Sequence, residues 1–187
     1  MKTPAPQKAA RRAADPGRQF ATLPWRRGDN GLEILLITSR ETRRWIIPKG
    51  WPMKNRKPHE AAAREAFEEA GVIGRIVKQP IGAFRYMKLL KNGASLRCRV
   101  DVFPMEVTRQ RSRWPEQHER TVQWFTPEDA AAAVQEDKLR TLIAKFSKRA
   151  LKKKLPGSKE DEAEVAVDEA LLAAEPEPDA PPEPPNP

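Results

Sequence analysis

The chain has 187 residues, a length that predicts one domain with terminal extensions rather than two full domains. Its single cysteine, Cys98, excludes an internal disulfide framework, and without a Cys/His cluster the sequence offers no structural zinc site. It contains no run of about 18 apolar residues, so no membrane-spanning helix and no membrane partner are expected. The cysteine usage indicates a reducing compartment, and we expect a cytoplasmic protein.

The charge is divided between two parts of the chain. Residues 155–187 carry ten acidic residues and one lysine, a net of −9, whereas residues 1–154 carry 34 basic and 16 acidic residues, a net of +18. Because a positive field attracts polyanions, phosphate-rich small molecules, nucleic acid and anionic surfaces are all admissible partners. A basic surface that serves only solubility has the same composition, so charge alone names no substrate.

The first third of the chain predicts a flexible arm followed by strands. Residues 1–17 are dominated by Pro, Ala and charge and have neither a helix nor a strand period, which is typical of a disordered basic arm. A hairpin and a short strand ended by Pro48 follow. These predicted strands are Gln19–Trp25, Leu32–Thr38 and Arg44–Ile47. A loop rich in cations and turn-forming residues occupies 49–57.

The segment Pro58–Ala70 predicts the clearest helix, with proline in its first turn, alanine and glutamate along its length, and Gly71 after its last residue. Beyond it, segments rich in β-branched and aromatic residues predict four strands, and Asn92-Gly93 between two of them is a hairpin signal. The four segments are Val72–Gln79, Ile81–Leu90, Arg97–Val107 and Thr121–Phe125.

The last third predicts a loop, two helices and a tail. The basic run Arg109–Arg113 is predicted as a loop. Thr126 is the predicted N-cap of a helix over Pro127–Gln135, and a second helix is predicted over Asp137–Leu151. Residues 152–187 are predicted to be an acidic, Pro-rich tail that is mostly disordered, although Glu160–Ala174 has the pattern of an acidic helix. The ordered domain is therefore expected over residues 18–151.

Three glutamates on the first predicted helix form the most informative feature of the sequence. Glu65, Glu68 and Glu69 are three and four residues apart, which places them on one helix face. Like charges at these spacings destabilise a helix by roughly 0.2–0.5 kcal/mol per pair unless a cation offsets them, and oxygen ligands are those that Mg²⁺ requires. A solvated acidic face gives the same spacing, so these residues alone leave both interpretations open.

The surroundings of the three glutamates resemble the signature of the Nudix hydrolases, G-x5-E-x7-R-E-U-x-E-E-x-G-U, in which U is a bulky apolar residue. Here Gly50 begins the pattern and residues 64–72 read REAFEEAGV. Residues 44–52, RWIIPKGWP, resemble the same region of the diphosphoinositol polyphosphate phosphohydrolase branch, and residues 124–130, WFTPEDA, resemble a strand-to-helix junction found late in many Nudix domains. Two positions depart from the signature, since Arg56 replaces its first Glu and Ala66 replaces its U.

The resemblance implies a fold and a set of site residues. The fold class would be α/β, a Nudix-like α/β/α sandwich with a mixed β-sheet, flanked by disordered tails. The residues implied as metal-binding are Glu65, Glu68, Glu69 and Gly50, with Mg²⁺ or Mn²⁺ as the cofactor. The residues implied as catalytic are Glu68, Glu69 and Arg64, the last orienting a carboxylate. With Arg56 in place of the first signature Glu, we expect Glu60, one helical turn before Arg64, to be the partner of Arg64.

A general base is also implied, either within the signature or on a later loop. The candidates outside the signature are Glu116 and Glu119, in the loop WPEQHER. The two histidines, His59 and His118, lack neighbouring metal-ligand residues in the sequence and are interpreted as surface residues.

The resemblance implies a metal-dependent pyrophosphohydrolase that cleaves a phosphoanhydride bond in a polyphosphorylated small molecule, either a diphosphoinositol polyphosphate or a dinucleoside polyphosphate. Cations around the signature fit phosphate binding, and those predicted to contact phosphate are Arg44, Lys49, Lys54, Arg56, Arg97 and Arg99. An RNA 5′ end is the main alternative substrate, and a polyanion- or RNA-binding module without catalysis is the alternative function. The sequence leaves the oligomeric state open.

Overall fold

Strands and helices follow one another largely in the predicted order. The computed structural model describes residues 17–90 and 92–152 in full and Glu164–Ala166 by their backbone. The strands are β1 (Arg18–Gly28), β2 (Gly31–Thr38), β3 (Trp45–Ile46), β4 (Lys49–Gly50), β5 (Val72–Val77), β6 (Gly82–Leu89), β7 (Ser95–Gln110), β8 (Val122–Phe125) and β9 (Glu164–Ala166). The helices are α1 (Pro58–Ala70), α2 (Pro127–Ala133) and α3 (Asp137–Leu151).

The strands form one mixed sheet with the central order β3-β2-β1-β7-β5-β9. β1 and β7 pair in parallel, and the other paired strands are antiparallel. Seven consecutive residues of β1, from Gln19 to Trp25, are buried. Such continuous burial, rather than alternation, is what a strand covered on both faces requires.

Each face of the sheet packs against helices. On one face, Phe20, Ile37 and Met105 pack with the alanines of α1. On the other face, Leu23 and Val100 belong to a second core that α2 and α3 complete. The sheet is therefore the middle layer of an α/β/α sandwich, as predicted.

Local sequence determines where α1 begins and ends and how close it comes to the sheet. At its start the Lys57 N–H donates to Glu60 Oε2 over 3.0 Å, and Pro58 occupies the first turn. Gly71 ends the helix in the left-handed region, with φ of 68°, which glycine adopts without strain. Fully buried alanines allow close packing, and the Thr22 hydroxyl donates to the Ala62 carbonyl over 2.7 Å. This packing fixes the helix that carries the three glutamates.

Most strand ends differ from the prediction by one to three residues, and two differences are in segments predicted as loops. β4 lies in the segment predicted as a loop, because Lys49 and Gly50 pair with Ala21 and Phe20 of β1. β7 continues to Gln110, so the run predicted as a loop from Arg109 begins as strand. The continuation is possible because β5 offers partners to the last residues of β7.

The described part of the C-terminal region corrects one prediction. Within the predicted helix Glu160–Ala174, the structure describes only Glu164–Ala166, and these residues form β9, antiparallel to β5. An edge strand presents unpaired backbone groups that favour pairing with an extended segment over helix formation. Predictions for residues 1–16 and for the rest of the tail lie outside the described residues. No helix in the described ranges has the length and hydropathy to cross a membrane.

Candidate metal and phosphate site

A cleft of about 240 Å³ opens between β4, α1 and the loop that precedes β8. Glu65, Glu68 and Glu69 of α1 line it, together with Gly50 and Glu116. The spacing of the three glutamates places them on one face of α1. The pairing of Gly50 with Phe20 brings the β4 backbone beside that face. A Cβ atom at Gly50 would overlap the Glu65 carboxylate, so the glycine allows the β4 backbone to approach this carboxylate without displacing it.

Glu65 is the least compensated of the three carboxylates. Its side chain has no hydrogen-bond or ion-pair partner among the described residues. Burial, followed by the charges of Glu69 and Glu68, raises the pKa of Glu65 to about 8. A group in this environment is ready to accept either a proton or a cation.

Arg64 pairs with Glu68 rather than with the expected Glu60. The Arg64 Nε atom lies 2.5 Å from Glu68 Oε1, one helical turn toward the C-terminus. The expectation for Glu60 was wrong because its carboxylate accepts from the Lys57 N–H at the start of the helix. Arg64 therefore lies where it orients a carboxylate of the cluster.

Glu69 has a partner on each carboxylate oxygen. Oε2 accepts from the Lys49 N–H over 2.9 Å, and Oε1 accepts from the Arg120 guanidinium. Burial raises the pKa of Glu69 to about 7, against the opposing effects of Arg120 and Lys49. Sequence reasoning did not identify Arg120, whose side chain is only 5% exposed.

The structure brings Glu116, but not Glu119, to the cleft. The Glu116 N–H donates to the Glu68 carbonyl over 3.0 Å, and Glu116 Oε2 accepts from Arg120 Nε over 2.7 Å. Glu119 is exposed and accepts from Arg40 over 3.2 Å. The proposed role of a base outside the signature is therefore structurally available to Glu116.

These residues fit a divalent cation by chemistry, although their carboxylates are not turned to a common point. In the described ranges, no three His, Cys, Asp or Glu side chains have the arrangement of a formed metal site. Glu68 and Glu69 face arginines instead. The hard oxygen donors, the close approach of Gly50 and the like-charge crowding around Glu65 are the features that a Mg²⁺ or Mn²⁺ ion would use.

Cations line the cleft and a second cleft of about 270 Å³ beside it. Lys49 borders both, and burial lowers the pKa of its ammonium group. Its Nζ lies 5.3 Å from the Tyr86 ring centroid, and Lys88 Nζ lies 4.8 Å from the Trp51 ring centroid. Arg44 borders the second cleft and donates to Gln135 over 2.7 Å.

Four predicted phosphate contacts do not line either cleft, namely Lys54, Arg56, Arg97 and Arg99. Arg97 and Arg99 share a face of β7, as strand alternation predicts. Tyr86 and Lys88 pair with Cys98 and Leu96, so their side chains belong to the opposite face. Arg99 instead donates to Asp101 over 3.2 Å.

His59 is buried rather than on the surface, with 5% of its area exposed. Its ring lies 6.5 Å from that of Phe103, and its Nε2 atom has no hydrogen-bond partner among the residues that the structure describes. The surface interpretation was wrong because His59 lies on the side of α1 that faces the sheet. It does not line the cleft.

Comparison with known proteins identifies the family of this domain. The model of the NUDIX domain matches residues 17–150. Nudix hydrolase 12, mitochondrial, of Arabidopsis thaliana is 32% identical over 104 residues, which cover 54% of this chain and 51% of the relative. Diphosphoinositol polyphosphate phosphohydrolase 3-alpha of Mus musculus is 33% identical over 106 residues, covering 55% of this chain and 60% of the relative. The chain thus spans between half and two thirds of these relatives.

Solved structures with a similar fold include a Nudix-type neighbour. The crystal structure of C. elegans Ap4A hydrolase superimposes with a TM-score of 0.53 at 20% identity, over 72% of this chain and 98% of that chain, a likeness that concerns the fold alone. Because the domain match covers most of the chain, this protein belongs to the NUDIX domain family, which confirms the resemblance found in the sequence.

The metal-free protein is expected to lose stability as the pH rises. Between the ordinary pKa of 4.5 and about 8, folded Glu65 retains a proton that the unfolded chain releases. The free energy of unfolding therefore falls across this window, by on the order of 2 kcal/mol. Urea unfolding in EDTA at pH 5.5 and 8.5 measures the difference, and Glu65→Gln should reduce it, while Glu69, whose pKa is also raised, accounts for the remainder. An equal pH dependence in the variant would contradict the raised pKa of Glu65 as a cause of the loss of stability.

Proposed function

We propose that this protein is a metal-dependent pyrophosphohydrolase that cleaves a phosphoanhydride bond in a diphosphoinositol polyphosphate or a dinucleoside polyphosphate. The observation that carries the proposal is the convergence of Glu65, Glu68, Glu69 and Gly50 on one cleft that is bordered by cations. The name of one relative supports the same class, since it is a diphosphoinositol polyphosphate phosphohydrolase.

The residues that would hold Mg²⁺ or Mn²⁺ are Glu65, Glu68 and Glu69 of α1 and the backbone of Gly50. A bound ion would draw charge from the phosphate oxygens and lower the pKa of an attacking water. Arg64 orients the Glu68 carboxylate for this role. Glu116, which contacts Glu68 and Arg120, would take the proton of the water as the general base.

The chain's own cations would bind the phosphates that flank the cleaved bond. Lys49, Arg40 and Lys88 border both clefts, so a substrate with several phosphates can meet them together. Arg44 lines the second cleft and adds a further positive charge to this group of cations. The cytoplasmic location stays a prediction, and several relatives are named as mitochondrial.

Phosphate and pyrophosphate release tests the proposal. The wild type, Glu68→Gln and the exposed control Glu128→Gln are compared with and without Mg²⁺ on an inositol pyrophosphate, diadenosine polyphosphates and 5′-triphosphate RNA. We expect Mg²⁺-dependent turnover of a small polyphosphorylated substrate by the wild type and the control, and none by Glu68→Gln. Faster turnover of the RNA than of the small molecules would make an RNA 5′ end the substrate instead. Salt-sensitive RNA binding without turnover would favour the non-catalytic binding module.

A further inference from the structure

The buried guanidinium group of Arg120 links the loop that carries Glu116 to the other elements around the cleft. Arg120 Nε donates to Glu116 Oε2 over 2.7 Å, and its third nitrogen, Nη1, donates to the Thr38 carbonyl of β2 over 3.1 Å. Its Nη2 pairs with Glu69 of α1. All three guanidinium nitrogens are therefore used, each on a different structural element.

We infer that Arg120 is a positioning residue that holds Glu69 and Glu116 on either side of one guanidinium. This inference deepens the proposed hydrolase function and rests on it. A planar guanidinium presents donors in fixed directions, so the two carboxylates that it joins acquire a fixed separation. In the proposed reaction one of them is a metal ligand and the other the base.

Burial makes this bridge effective. The side chains of Arg120 and Glu69 are 5% and 6% exposed, so little solvent competes for their hydrogen bonds. The second oxygen of Glu69 is held by the Lys49 N–H, which leaves Glu69 no freedom to turn while Arg120 is in place. Glu116 is held at both ends, by its N–H on Glu68 and by its carboxylate on Arg120.

Lysine cannot reproduce the bridge, since an ammonium group lacks the planar set of donors that reaches three acceptors at once. Arg120→Lys and Arg120→Met should therefore both lower kcat, by about 10- to 100-fold, as does loss of residues that orient metal ligands. Arg120 borders the second cleft, but KM should change little because each of its three guanidinium nitrogens already donates to a protein acceptor. Arg149→Met is the matched control, since Arg149 is exposed on α3.

A double-mutant cycle distinguishes this role from a merely structural one. Because Arg120 acts through both Glu116 and Glu69, Glu116→Gln combined with Arg120→Met should lose less kcat than the product of the two single losses. A tenfold rise in KM at unchanged kcat would instead make Arg120 a substrate contact and overturn the inference. Additive losses in kcat would overturn it as well.

Hydrogen exchange of the full metal-free chain tests the bridge without turnover. In Arg120→Lys, chosen as the milder change, the Glu116 amide should exchange at least about tenfold faster than in the wild type, while amides of α3 keep their rates. Unchanged exchange at Glu116 would contradict the inference whatever the substrate is. Absence of turnover in the wild type, with the exchange result as expected, would instead count against the proposed function alone.

Discussion

Glu65→Gln is expected to abolish most of the catalytic activity and, at the same time, to stabilise the metal-free protein. Glu65 is crowded by two other carboxylates and lacks a described partner, so its charge opposes folding when no cation is bound. The neutral amide removes that repulsion, with a gain on the order of 2 kcal/mol at pH 8.5, the size of the loss attributed to Glu65 ionisation. Mg²⁺-dependent turnover should fall by about 10²–10³-fold, the scale seen when one charge-stabilising group is removed from an active site.

The two opposite changes are measured on the same preparations, by urea unfolding in EDTA and by initial rates in Mg²⁺. Glu128→Gln is the control, because Glu128 is exposed on α2 and should change neither quantity beyond about 0.5 kcal/mol or twofold. A Glu65→Gln protein that is less stable than the wild type at pH 8.5, or equally active, would show that Glu65 is structural.

Gly50→Ala is expected to damage both the fold and the cleft. The added methyl group would lie 1.8 Å from Glu65 Oε1, a distance that requires β4 or the Glu65 side chain to move. Overpacking of this kind costs about 1–3 kcal/mol. Activity should fall by at least about 100-fold, since small displacements of reacting groups have effects of this size.

A second variant separates the steric cause from other effects of alanine at this position. Adding Glu65→Ala to Gly50→Ala removes the atoms that the methyl group meets, so the unfolding free energy should recover toward the wild-type value while activity stays low. Failure of the double variant to recover stability would mean that Gly50 is required for another reason. Thermal unfolding and turnover in Mg²⁺ report the two outcomes.

The local patterns of the sequence predicted the elements that do not depend on distant partners. Proline in the first turn and Gly71 after Ala70 gave both ends of α1 correctly, and the helix has the predicted bounds. Thr126 caps α2 as predicted, its side chain accepting from the Asp129 N–H. These signals are readable because a cap and its helix lie within a few residues of each other.

Features that depend on tertiary contacts could not be predicted from the sequence. β4 has only two residues, and its pairing with β1 cannot be deduced from a loop of cations and turn formers. Arg120 lies in a polar loop like several other arginines, and only the fold shows that it reaches Glu69, 51 residues away. The face of β7 that meets the cleft likewise depends on the register with β6, which sends Arg97 and Arg99 away from it.

Binding of Mn²⁺ to the full chain, followed by electron paramagnetic resonance without substrate, is the most direct test of a metal site on α1. The wild type and Glu128→Gln should each bind one ion with similar affinity, and Glu68→Gln should bind it at least about tenfold more weakly. Equal affinity in all three proteins would contradict a metal site built from the glutamates of α1.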